Sequence, residues 1–233
     1  MLGRFLEFSI GTPDIAASVM FYQRLGFVQL PCIDPWPHAY CALTDGHCCI
    51  GLHARAAPAH TLSFVRPGLA HGMAIPGLHC YSSHLGEDNF HHLQCRGPGG
   101  QDITLLEART FSPAATRPAS ARCGDFLAYG LPVADPAAAA AEWDAAGLVA
   151  FESQHAPYPH TPLTGDGLNL TLHSARWLAS AALVFAHADV SAARLTFEEL
   201  DLPPGAAAPD AADQSLLLRA PEGTAVLVVA EER

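Results

Sequence analysis

The chain has 233 residues, enough for one large domain or two small ones, and an apolar-class fraction of 50% supplies a core for either. A formal net charge of −11, with no dense run of Lys and Arg, excludes the nucleic-acid-binding classes, which need a cationic surface. No apolar run approaches the roughly 20 residues that span a bilayer, and "MLGRFLEFSIGTPD" lacks a signal peptide's apolar stretch and cleavage site, so the expectation is a cytoplasmic protein with no membrane partner.

In chain order, "RFLEFSI" alternates, with Leu6, Phe8 and Ile10 on the face that meets a helix and Phe5, Glu7 and Ser9 on the other. Thr12, Pro13 and Asp14 start that helix, with Thr12 as capping hydroxyl and Asp14 near the positive end of the dipole. Ile15, Val19 and Tyr22 share its buried stripe, and Gly26 closes it. Short strands follow around Phe27 to Leu30, Tyr40 to Leu43 and Cys48 to Leu52. The adjacent Cys48 and Cys49 then face opposite ways as packing residues. Seven cysteines, an odd count without a C-x-x-C pair, imply reduced thiols rather than a disulfide framework. "HTLSFVRP" is a further strand, with Leu62 and Phe64 opposed to Thr61, Ser63 and Val65, but Gly68, Gly72 and Pro76 interrupt any helix after it. "NFHHLQC" places His91 and His92 on opposite faces of a strand, a poor chelating pair. On the strand that ends the first half, Asp102 and Thr104 share a face and Glu107 takes the other.

The chain then repeats itself. "GRFLEFSIGTPDIAASVMFYQRLGFVQL" from Gly3 aligns without a gap to "GDFLAYGLPVADPAAAAAEWDAAGLVAF" from Gly124, with Asp135 and Pro136 at the second helix start. "WPH" ending at His38 is answered by "YPH" ending at His160, His53 by His173, and "RGPGGQDITLLEA" by "RAPEGTAVLVVAE". "AALVFAHADVSAARLTFEEL" runs a strand into a helix capped by Asp189, with Val190, Ala193, Phe197 and Leu200 on its stripe. The expected organisation is a first domain over 1–112, a Pro, Ser and Ala-rich linker over 113–122 and a second domain over 123–233, four strand-helix-strands units in all.

The string "FLEFSIGTPDIAASVMFYQRLGF", together with "PGGQDITLLE", resembles the vicinal-oxygen-chelate superfamily of glyoxalases, bleomycin-resistance proteins and dioxygenases. The resemblance implies an α+β fold of tandem βαβββ modules, with curved mixed sheets around a cavity and helices outside. It also implies metal ligands on the first strand of a module and four residues after the last-strand glycine. Glu7, Thr61 and Thr104 occupy those positions in the first half, Ala128, Ala182 and Leu227 in the second, so the usual divalent centre looks absent.

Glu7 is the leading candidate, as a base or as the anion that fixes a ligand, because its strand turns it onto the concave face and desolvation would raise its pKa. Ser9, Thr61, Ser63, Asp102 and Thr104 share that face, and Trp36, His38 and Tyr40 are secondary ligand contacts. The equivalent face of the second half is apolar, so its cavity is expected to be closed or greasy. The repeated histidines read as structural, since they persist where the polar groups do not. The expected function is metal-independent binding of a small polar or cationic molecule in the first domain. The alternative is a lyase, isomerase or dioxygenase of the superfamily using one divalent ion held by Glu7, His38 and His53, and a third is a structural domain with filled cavities. A homodimer is compatible with any of these.

Overall fold

The computed structural model describes residues 2–31, 36–57, 59–69, 75–86, 91–108, 121–156, 158–205 and 215–231. The first half runs β1 (Arg4–Thr12), α1 (Ile15–Arg24), β2 (Val28–Gln29), β3 (Tyr40–Thr44), β4 (Cys49–Ala54), β5 (Ala59–Arg66), β6 (His79–His84), β7 (His92–Arg96) and β8 (Asp102–Glu107). The second half runs β9 (Asp125–Val133), α2 (Pro136–Ala146), β10 (Val149–Ala150), β11 (Thr161–Gly165), β12 (Leu168–Ser174), β13 (Ala182–His187), α3 (Val190–Glu199), β14 (Ser215–Arg219) and β15 (Ala225–Ala230). Each half makes one mixed sheet, β2-β3-β4-β1-β5-β8-β7-β6 and β10-β11-β12-β9-β13-β15-β14. The two modules of a half therefore join side by side, through β1 and β5 or through β9 and β13. Among the described residues no α-helix lies between β5 and β6, and no helix is long and apolar enough to cross a membrane. The expected linker lies outside the described residues except for 121–122, and the doubtful helix after Val65 falls largely there too.

Local rules account for most elements. Asp135 and Asp189 cap α2 and α3 by accepting backbone N–H bonds of the first turn, as expected. In α1 the cap is Asp14, whose carboxylate accepts from the Ala17 N–H. Thr12 is instead the last residue of β1, its hydroxyl 2.9 Å from that of Ser18, because a residue still paired in a sheet cannot open a helix.

The strand alternation needs one correction. The pairing of β1 with β5 shifts register between Phe5 and Glu7, a bulge that inverts the phase. Phe5, not Leu6, therefore joins Phe8 and Ile10 against the core, where its ring meets Phe64 at 5.4 Å and Tyr129 at 5.1 Å. The same shift recurs between β13 and β9, sending Phe126 inward and leaving Leu127 outside.

The helices lie on the sheet faces opposite Glu7 and Ser9, and one continuous core there is shared by both halves. The contacts are reciprocal. Glu222, in the β14–β15 turn, accepts bonds from the Ser18 and Tyr22 hydroxyls of α1, both 2.7 Å. Burial and this carboxylate hold the Tyr22 phenol well above its ordinary pKa. In return the β7–β8 turn donates the Gly99 N–H to Glu142 of α2 at 2.8 Å.

The cysteine expectation is also corrected. Cys80 and Cys95 form a disulfide across β6 and β7, where strand pairing sets them directly opposite, a register that spacing alone does not disclose. Cys48 and Cys49 remain thiols, and burial pushes both above the ordinary range, as suits packing residues. Glu107 closes the start of the loop after β5, accepting from the Gly68 and Leu69 N–H groups at 2.9 and 2.8 Å.

Candidate functional site

The concave face of the first sheet carries two polar rows fixed by strand register. Across β1, β5, β8 and β7, Ser9 stands opposite Thr61, Thr61 opposite Asp102, and Asp102 opposite Arg96; one pleat along, the row reads Glu7, Ser63, Thr104 and Gln94. The corresponding rows of the second sheet read Gly130, Ala182, Ala225 and Arg219, then Ala128, Val184, Leu227 and Leu217. One scaffold thus presents a hydroxyl-rich surface in one half and an aliphatic one in the other.

Glu7 is 4% exposed and its carboxylate is held on three sides. Ser9 donates to Oε1 at 2.7 Å, Tyr40 donates to Oε2 at 2.6 Å, and His53 Nε2 lies 3.5 Å from Oε1. Such hydrogen bonds offset the desolvation of a buried anion, each charge-assisted bond being worth about 1.5–3 kcal/mol. The room comes from Gly51 on β4, where an added Cβ would fall 2.1 Å from Glu7 Oε1. Beyond His53, its Nδ1 is 2.9 Å from His38 Nε2, and the Trp36 indole stacks on His38 at 5.9 Å.

In front of this network opens a pocket of about 210 Å³, lined by Ser9, Trp36, His53, Thr61, Ser63, Asp102 and Thr104, with Gly11, Arg55, Ala59, Tyr81 and Gln94. Six of the nine candidate ligand contacts therefore form its wall. Glu7, Tyr40 and His38 do not: Glu7 is buried against Ser9 and His53, which line the pocket, and Tyr40 and His38 contact Glu7 and His53 in turn. The register of β7 against β8 sets Gln94 beside Thr104, and Tyr81 enters at the bulge of β6, its hydroxyl donating to Asp102 at 3.3 Å. Sequence reasoning missed these two and Arg55. The alternation of "HLQCR" after His91 was the signal that points to Gln94; nothing local marks Tyr81 or Arg55.

The residues do not fit a chelated divalent ion. The first-strand and last-strand slots of the second module hold Thr61 and Thr104, weak hydroxyl donors. In the alternative set of Glu7, His38 and His53, Glu7 faces Nε2 of His53 and His38 faces Nδ1, so the imidazole lies between them and the three do not converge on one point. Among the described residues no group of three His, Cys, Asp or Glu converges elsewhere.

In the second half Tyr158, Trp177 and Leu178 pack over Ala182, Ala225 and Leu227. His173, the counterpart of His53, is 1% exposed and lies over Gly130, whose added Cβ would meet the ring at 3.2 Å. Burial lowers its pKa to about 4, against the opposing pull of the Ser180 and Leu178 backbone. Beside this filled region a mainly apolar groove of about 470 Å³ stays open, lined by Ala128, Phe151, Val184 and Val229 among others.

Comparison with solved structures gives the class of fold. An extradiol ring-cleaving dioxygenase from B. fuscum superposes with a TM-score of 0.62 at 11% identity, covering 99% of this chain and 72% of its own. The homoprotocatechuate 2,3-dioxygenase of Arthrobacter globiformis gives 0.61 at 11% identity, covering 99% and 80%, and a catechol 2,3-dioxygenase 0.57 at 14%, covering 99% and 93%. No family model and no curated protein sequence matches. The chain has the two-sheet α+β fold of these extradiol dioxygenases, and at this identity the likeness concerns fold alone.

Proposed function

We propose that the chain is a small-molecule binding protein of the glyoxalase and bleomycin-resistance type, whose ligand sits in the first-half pocket without a divalent centre. The observation that supports this is the layered arrangement there: a buried Glu7, satisfied by Ser9, Tyr40 and His53, backs a pocket whose wall hydroxyls face its interior. Ser9 and His53, held by Glu7, and Ser63, held by Ser9, form a preorganised part of the binding surface. A dioxygenase-type enzyme is the second reading, favoured by the likeness to extradiol dioxygenases. Metal analysis and thermal-shift screening separate the two. The binding reading expects no stoichiometric divalent ion in protein purified without added metal, and ligand-induced stabilisation that Ser63→Ala or Thr104→Val reduces. One equivalent of iron or manganese per chain, lost in Glu7→Gln, would move the assignment to the enzyme.

A further inference from the structure

We infer that the ligand of the first-half pocket is a polyhydroxylated molecule of about sugar size, an inference that rests on the binding reading above. Size comes first. A cavity of about 210 Å³ lies below the roughly 300–1,000 Å³ of pockets for drug-sized ligands, so the occupant is small.

The wall chemistry is of one kind. Among the described residues the Thr61 and Thr104 hydroxyls and the Gln94 amide line the pocket without a side-chain hydrogen bond to the protein, and Ser63 uses its hydroxyl only toward Ser9, at 2.8 Å. Hydroxyls and amides both donate and accept, which matches a ligand that does the same at several adjacent positions. Trp36 and the exposed Tyr81 add flat apolar surface for the C–H face of a ring or chain.

Charge argues against an amine. Glu7 is behind the wall with its oxygens engaged, and Asp102 is met by Arg96 at 3.3 Å and by Tyr81 at 3.3 Å. Asp102, the carboxylate on the wall, keeps only Oδ2 clear of these contacts and is already paired with the Arg96 guanidinium, so it is a weak anchor for an ammonium group. Arg55 at the rim instead suits a carboxylate on the same hydroxylated frame, so neutral polyols and their acids share the recognising chemistry.

A site of hydroxyl-binding groups rejects analogues that lack the hydroxyls, because its own polar groups then stay unpaired. Calorimetric titration of the full chain with pentoses, hexoses, alditols and aldonates, beside catechols and alkylamines, tests this. The expected result is saturable binding of a polyol or its acid, weakened about five- to tenfold by Thr104→Val and by Gln94→Leu, and more by removing a ligand hydroxyl. Thr61→Val, at a half-buried position, is a second variant should Thr104→Val fail to fold, and Thr171→Val in the second half should change nothing. Arg55→Ala separates the sources: loss with aldonates alone identifies an acid, and no change identifies a neutral polyol. Binding of catechols or amines but not polyols, still sensitive to Thr104→Val, would overturn the ligand class and keep the pocket. Binding of any class insensitive to all three wall variants would overturn both.

Discussion

The two halves share the strand order that runs through β1 or β9 but differ in what fills the concave face, and those differences come as compensating sets. Glu7 is matched by Ala128, and the position beneath it, Gly51 in the first half, is Thr171 in the second, where the side chain accommodates the Tyr158 hydroxyl at 3.1 Å. Ser9 is matched by Gly130, whose missing side chain leaves His173 room to lie over it; the first-half histidine turns instead toward Glu7 and His38. An imidazole kept at the same strand position thus serves a polar network in one copy and a filled core in the other. The lesson is that a repeated residue does not carry a repeated role, since the space left by its neighbours sets where it points.

The comparison can be broken most sharply at Gly51. Gly51→Ala drives a methyl into the Glu7 carboxylate and should cost about 3 kcal/mol in urea unfolding, and Glu7→Ala in the same chain should recover most of it, since the second half tolerates a larger residue beside Ala128. Additive losses would show that the two positions are not coupled.

The next effect is acid sensitivity in the second half. With a folded pKa of about 4, below the ordinary histidine value of 6.5, His173 is neutral in the fold, so its contribution is complete above about pH 6.5 and is lost as pH falls toward 4. Between pH 7 and pH 5 this amounts to about 2 kcal/mol. His173→Phe should flatten that part of the pH profile, whereas an unchanged slope would place the titration elsewhere.

The smallest effects compare two tyrosines. Tyr40→Phe removes a donor from a buried carboxylate and should cost about 1.5–2 kcal/mol, against about 0.5–1 for Tyr158→Phe, whose partner is the neutral Thr171 hydroxyl. Equal costs would show that the Tyr40–Glu7 bond adds no more than the Tyr158–Thr171 bond.

Much of this was legible before any coordinates. The gapless repeat, the caps Asp135 and Asp189 and the opposed rows of Glu7 and Ala128 are written in periodicity and local propensity. What stayed hidden depends on register. A bulge at Leu6 leaves no trace in an alternation, so strict alternation puts Phe5 on the wrong face; the Cys80–Cys95 pair needs β6 set against β7. Alternation gives the face of a residue but not its depth: Glu7 shares the concave face with Ser9 and Ser63, yet it is the latter two, with His53, that line the pocket. Arg55 and Tyr81 reach the pocket from strand ends and bulges, where no period applies.

The central claim is that binding belongs to the polar rows of the first half. It is tested most directly by Thr104→Leu, which copies Leu227 of the second half into the first, with ligand-induced stabilisation measured beside the parent chain and beside Thr171→Val. The account predicts that Thr104→Leu abolishes the stabilisation while Thr171→Val leaves it intact. Stabilisation that survives Thr104→Leu and disappears in Thr171→Val would contradict it and move the site to the apolar groove of the second half.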